Sequence, residues 1–185
     1  MIFLASHSPR RKSLLRQAGY RFRTVPSAHE EIIHDTLSPE DNALWNALLK
    51  CSRARVRARK GIILAADTLI DFEGKTIIKP TDPADAERIL TGFSGRTHVV
   101  ITAVALKNLA TGRFRTFVVR SRVTFRELPL RAIRNYLELG EYADKAGAYG
   151  FQGKGEKLVR RVRGSRSNVV GLPMERLLRE LKQFG

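Results

Sequence analysis

The chain has a single cysteine, Cys51, so no internal disulfide framework braces it. Cys51 falls in a helical stretch and reads as a small buried apolar residue rather than a nucleophile. The four histidines, His7, His29, His34 and His98, lack the spacing of a metal site, which argues against zinc. No apolar run approaches the roughly 20 residues of a membrane span. The opening MIFLA is apolar, but Arg10, Arg11 and Lys12 follow where a signal peptide would continue its apolar region. Residues 2–5 are therefore expected to form a buried first strand. Acidic residues are scarce too: 18 stand against 34 lysines and arginines, for a formal net charge of +16. That excess implies an anionic partner or a basic, soluble surface. Nucleic acid, acidic lipid and phosphorylated small molecules all qualify, and charge alone does not choose among them.

What is present is an ordinary globular chain. Its 185 residues, 43% hydrophobic, suit one domain or two small lobes sharing a core. Ser8-Pro9, Ser38-Pro39 and Asp82-Pro83 each pair an N-cap with proline at the first helical position. Helices are expected after each: one ending at Gly19, a long one running through Ala54 to Gly61, and one through Ile89 and Leu90. Residues 20–25 alternate as a second strand. Residues 62–66 form a continuous apolar run, as in a strand buried on both faces, with Asp67 at its end. Two long strands are expected over 99–106 and 114–125, joined by a turn at 108–112. On the second of these, Arg113 and Arg115 share one face while Arg120, Arg122 and Arg126 share the other. That switch predicts an irregularity near 117–119. Two more helices, over 129–139 and 173–184, flank a glycine-rich stretch from 147 to 171. Strands and helices mix without strict alternation, which indicates an α/β or α+β fold with a mixed sheet flanked by helices.

Four segments carry candidate chemistry. Arg10 and Arg11 lie in the first turn of a helix, where cations are unfavourable unless they and the free amides converge on an anion such as a phosphate chain. The alternative is two solvated arginines on an exposed turn. Asp67 ends a buried strand, a usual place for a metal ligand or general base, or simply for a turn cap. Glu30 and Glu31 are adjacent on an extended segment, so at most one faces a given site. Lys50 and Lys79 read equally as surface charges. In the run from Asp144 to Gly153, clustered small residues allow close approach of backbone to a ligand, and Tyr149 and Phe151 look buried.

Taken together, LASHSPRRKSLL, LAADT, KP followed by SGRTHVVITAVAL, DKAGAYGFQG and GSRSNVVGLP resemble, in order and spacing, the signatures of the Maf family of nucleoside triphosphate pyrophosphatases. The resemblance runs from about Leu4 to Pro173. It implies a Maf/ITPase-like fold, an elongated mixed sheet in one domain over 1–185, with two lobes around a cleft. It further implies a cytoplasmic hydrolase, commonly a homodimer, that needs a divalent metal, magnesium or manganese. On the same basis Asp67 is the base that activates water. Glu31 and Asp67 hold the metal, and Lys50 and Lys79 assist catalysis. Ser6, Arg10, Arg11 and Lys145 bind substrate. Asn46 and Cys51 stand where the family has leucine and alanine, and His7 where small residues are usual. Arg11, Thr68 and Gln152 match the subgroup that prefers dTTP and UTP, whereas a 7-methyl-GTP subgroup replaces the glutamine by glutamate. A carboxamide both donates and accepts, as the N–H and carbonyls of uracil and thymine require. A rival of another class is a basic nucleic-acid-binding or septation-regulating protein without catalysis. No helix-turn-helix, RNP or KH signature supports it, and the arginines read as spread along the chain, so no specific nucleic-acid partner is expected.

Overall fold

The computed structural model describes residues 1–184. Seven strands form one mixed sheet: β1 (Ile2–Leu4), β2 (Phe22–Thr24), β3 (Ile62–Phe72), β4 (Lys75–Ile77), β5 (Thr97–Asn108), β6 (Phe114–Phe125) and β7 (Val159–Arg163). Their order is β2-β1-β3-β5-β6-β7, with β4 paired to β3. The helices are α1 (Pro9–Gln17), α2 (Pro39–Ser52), α3 (Pro83–Phe93), α4 (Leu130–Leu137), α5 (Arg166–Val170) and α6 (Met174–Phe184). None is long and apolar enough to cross a membrane.

The first three helices begin by one device. Ser8, Ser38 and Asp82 each accept a hydrogen bond from a backbone N–H three residues on, and proline follows at the first helical position. α2 stops at Ser52, short of the expected Ala54, and Gly61 does not cap it. Gly61 has φ +125°, and a Cβ there would lie 2.8 Å from the Met1 carbonyl oxygen. Close passage of the chain past β1 fixes that glycine, not a helix end.

β3 is longer than expected. It continues through Asp67 to Phe72, because β5 pairs with it from Ile62 to Asp71. Asp67 therefore lies mid-strand. The β5–β6 register is unbroken from Thr97↔Thr124 to Lys107↔Phe114, so the irregularity expected at 117–119 is absent. Arg115 shares its face with the buried Phe117 and Val123 because it pairs with Glu180 of α6 at 2.7 Å. The one register shift lies at Thr124/Phe125, against β7.

Three apolar clusters hold the sheet. On one face Ile63, Ala65 and Leu69 of β3 pack on Ala43, Ala47 and Cys51 of α2. On the other, Leu64 and Ala66 pack with Leu15 of α1 and Leu177 of α6. Further along that second face, Ile70 joins Phe93, Phe125, Ile133, Tyr149 and Phe151. The last two clusters sit at opposite ends of one sheet face.

Candidate active site

The site follows from how β3 is flanked. One edge is paired with β5 throughout. The other meets β1 only at 62–64 and β4 only at 70–72, leaving 65–69 without a strand neighbour. β1 leaves the sheet after the Ala5 N–H bonds the Leu64 carbonyl at 2.8 Å. A cleft of about 710 Å³ opens at this gap. Successive β3 side chains point to opposite faces, so the gap exposes Asp67 toward α2 and Thr68 toward α1 and α5. The cleft is lined by Ser6, Arg10, Arg11, Glu31 and Lys50, and also by Asp67, Thr68, Lys79, Lys145 and Gln152. All ten sequence-predicted residues thus meet in one place; Glu30 lines the cleft as well, although at most one of the two adjacent carboxylates was expected there, but only Glu31 is ion-paired.

On the α2 face Lys50 stands between two carboxylates. Its Nζ donates to Asp67 Oδ1 at 2.6 Å and to Glu31 Oε1 at 2.5 Å, and Lys79 Nζ lies 3.7 Å from Glu31 Oε2. Lys50 and Asp67 are both buried, the latter 2% exposed. Burial raises the Asp67 pKa, and the Glu31 charge adds to it against the pull of Lys50 and Arg11. Burial also acts to raise Glu31, but the charge and hydrogen bond of Lys50, with Lys79, hold it down at about 2. Two carboxylates on one ammonium thus separate into a permanently ionised group and a more basic one. Asp67 Oδ2 is buried and has no hydrogen-bond partner among the described residues.

Two buried asparagines position Glu31. Asn46 accepts from the Ile32 N–H at 3.1 Å, donates to the Ile32 carbonyl at 2.9 Å and contacts His29 Nε2 at 2.8 Å. One turn earlier, Asn42 accepts from the His34 N–H at 2.8 Å and donates to its carbonyl at 3.0 Å. Asn42, Asn46 and Lys50 recur every four residues along one face of α2. These asparagines escape a sequence reading focused on charges. Their signal is the i, i+4 spacing of amides on an otherwise apolar helix face.

On the opposite face Arg11 is 9% exposed. It donates from Nε to the Gly171 carbonyl at 2.8 Å, from Nη1 to Ser6 Oγ at 3.2 Å and from Nη2 to Thr68 Oγ1 at 3.0 Å. Thr68 Oγ1 meets Thr102 Oγ1 at 3.0 Å, and Thr102 donates to the Asn168 carbonyl at 3.1 Å. Asp67 and Glu31 offset the cost of burying this guanidinium. Arg10 instead reaches across the cleft mouth to Asp144 Oδ2 at 3.3 Å. Asp144 also pairs with Lys145, whose Nζ donates to the Glu141 carbonyl at 2.5 Å.

The remaining wall is the 147–152 segment. Gly147 has φ +73°, and a Cβ there would lie 2.3 Å from Ile70 Cδ1, so only glycine lets this segment lie on β3. Tyr149 and Phe151 are buried in the aromatic cluster. Tyr149 Oη meets His98 Nε2 at 2.9 Å, and Tyr136 Oη accepts the Gly150 N–H at 3.0 Å. Anchored on both sides, the segment presents an exposed Gln152 to the cleft.

The chemistry available is therefore a buried basic carboxylate with one free oxygen, a second ionised carboxylate, and five cationic side chains around a nucleotide-sized opening. The whole of residues 1–184 matches the family model described as Maf-like protein. A dTTP/UTP pyrophosphatase of Carboxydothermus hydrogenoformans is 41% identical over 184 residues, covering 100% of this chain and 98% of the relative. One of Bacillus cereus is 45% identical over 183 residues, covering 99% and 89%. One of Bacillus anthracis is 44% identical over 183 residues, covering 99% and 95%. A full-length family match and relatives of this identity, joined to the cleft geometry, establish that the chain belongs to the Maf family.

Proposed function

We propose that this protein is a nucleoside triphosphate pyrophosphatase that hydrolyses dTTP and UTP to the monophosphate and pyrophosphate, in the house-cleaning of non-standard nucleotides. One observation carries the reading: Asp67, with a raised pKa and an unpartnered Oδ2, sits in a cleft bordered by Arg10, Arg11, Lys50, Lys79 and Lys145. A free basic oxygen among cations suits removal of a proton from water beside a polyphosphate. Water oxygen bonds to the α-phosphorus as the bond to the bridging oxygen breaks. The water's proton passes to Asp67. Pyrophosphate leaves with its charge neutralised by the surrounding cations.

A divalent cation fits these residues. The bare Asp67 Oδ2 and the ionised Glu31 are hard oxygen donors, and no cluster of three or more His, Cys, Asp or Glu gathers among the described residues. Glu31 and Asp67 would hold magnesium or manganese through their carboxylate oxygens. The cation would supply charge neutralisation to the phosphoryl group. Gln152, exposed on an anchored backbone, reads the pyrimidine edge. We further propose, on the family resemblance, a cytoplasmic homodimer.

The test is a panel of dTTP, UTP and 7-methyl-GTP with magnesium or manganese, its products separated by ion exchange. Monophosphate and pyrophosphate from the two pyrimidine nucleotides, with loss of turnover in excess EDTA, is the expected result. Diphosphate with orthophosphate would overturn the chemistry. Preference for 7-methyl-GTP would move the protein to the other branch, and absence of all hydrolysis would favour a non-catalytic binding protein.

A further inference from the structure

The arginines are not evenly spread. No acidic residue occurs in 1–29 or in 42–66, and within the second stretch lies Arg53-Ala54-Arg55-Val56-Arg57-Ala58-Arg59-Lys60. This tract joins α2 to β3, and its course is fixed at both ends. Ala54 bridges Ser27 in antiparallel sense, and the Arg55 N–H bonds the Pro26 carbonyl at 3.0 Å, just past the end of β2. At the other end, the Ile62 N–H bonds the Met1 carbonyl at 3.0 Å, level with the start of β2, because Ile2 pairs with Phe22. The tract takes more residues over that course than the strand does: it leaves α2 in a turn at Arg53, runs without helix or turn from Ala54 to Ala58, and bends at 59–61 into β3.

Alternation then sorts its side chains. Ala54 and Val56 turn inward and pack on the α2-face cluster. Arg53, Arg55, Arg57 and Arg59 are exposed, and so are Lys60, Arg23 of β2 and Arg21 just before it. Among the described residues none of these seven cations belongs to an ion pair, although eight other arginines do. Four guanidiniums at every second residue, with Ala54 and Val56 turned in between them, gather on one exposed border and suit successive phosphates of a polynucleotide. Guanidinium forks suit phosphate oxygens. The tract's exposed apolar side chain, Ala58, is too small to anchor in a bilayer. With no exposed aromatic among its residues, it offers no stacking platform to read bases.

We propose that residues 53–59 form a second anion site, separate from the nucleotide cleft, that binds single-stranded nucleic acid through its phosphates without sequence preference. None of the four arginines lines the cleft, so the proposal does not depend on the catalytic reading.

The test is fluorescence anisotropy with a labelled oligo-deoxyadenosine strand of about twenty nucleotides, titrated at several salt concentrations. Four phosphate contacts predict a log–log salt slope of about −3, or roughly 50-fold weaker binding between 50 and 200 mM salt. Arg53→Gln, Arg55→Gln, Arg57→Gln and Arg59→Gln together should abolish that slope while leaving dTTP hydrolysis and thermal stability unchanged. The control removes the same charge from the opposite sheet edge: Arg122→Gln, Arg160→Gln, Arg161→Gln and Arg163→Gln, all exposed and outside ion pairs. It should bind as the unaltered protein does. The proposal falls if the unaltered protein does not bind at 50 mM salt, or if both variants lose binding equally. It also falls if excess dTTP displaces the strand, or if only anionic vesicles are bound.

Discussion

The two faces of β3 at the cleft use buried polar groups differently. On the α2 face, Asp67, Lys50 and Glu31 form an ionic cluster that leaves one carboxylate oxygen unpartnered. On the other, Arg11 and Thr68 direct their hydrogen bonds into the protein, to Gly171, Ser6 and Thr102. A buried acceptor without a partner costs stability, whereas a satisfied network rigidifies what it holds. The contrast separates a face that keeps reactive capacity from one that keeps a guanidinium in place beside it.

The largest effect should come from the ionic face. Asp67→Asn keeps the shape but removes the base, and should lower kcat by about 10²–10⁴-fold. Its melting temperature should not fall, because an amide carries no buried charge. Turnover within threefold of the unaltered enzyme would show that Asp67 is not the base.

On the opposite face Thr68→Val should cost mainly stability, about 1–3 kcal/mol, because it strips Arg11 Nη2 and Thr102 of a partner. Denaturant unfolding measures it. A kcat loss as large as that of Asp67→Asn would erase the distinction between the faces.

Gln152→Glu sharpens the comparison at the cleft wall. It removes a donor and places a charge beside base carbonyls. The expected loss of kcat/KM on dTTP and UTP relative to 7-methyl-GTP is about 5- to 150-fold. An unchanged ratio would remove Gln152 from base recognition.

The smallest effect on turnover concerns His98, which anchors Tyr149 behind that wall. Burial lowers its pKa from 6.5 to about 3, so it is neutral when folded. The depressed folded value means that stability is full above pH 6.5 and declines as the unfolded chain takes up a proton, until about pH 3. Between pH 7 and pH 5 the loss from this group is about 2 kcal/mol. His98→Gln should flatten that part of the stability profile. A profile as steep as before would mean that other groups set it.

Much of this was legible residue by residue. Ser8-Pro9, Ser38-Pro39 and Asp82-Pro83 announced three helix starts, because a cap and a proline act within one turn. Phe151 looked buried from its apolar side chain, and burial bears that out. The length of β3 was not legible: its pairing with β5 carries it past Asp67, and partners distant in sequence leave no local mark. Arg115 misled for the same reason. Its face is set by Glu180, 65 residues away. The arginines at 53–59 stand in the sequence, but the course of that tract depends on Pro26, Ser27 and Met1.

The sequence by itself determined the helix caps, the apolar faces, the excess of positive charge and the set of ionisable groups available to a site. Those depend on neighbours within a few residues or on composition. Only the tertiary structure decided that β1 and β4 stop short of each other along one edge of β3, opening the gap at 65–69. It alone placed Lys50 between Glu31 and Asp67, so that burial and shared charge drive two like carboxylates apart in basicity. Both outcomes rest on distances between segments far apart in the chain, and desolvation and Coulomb energy exist only once those distances are set.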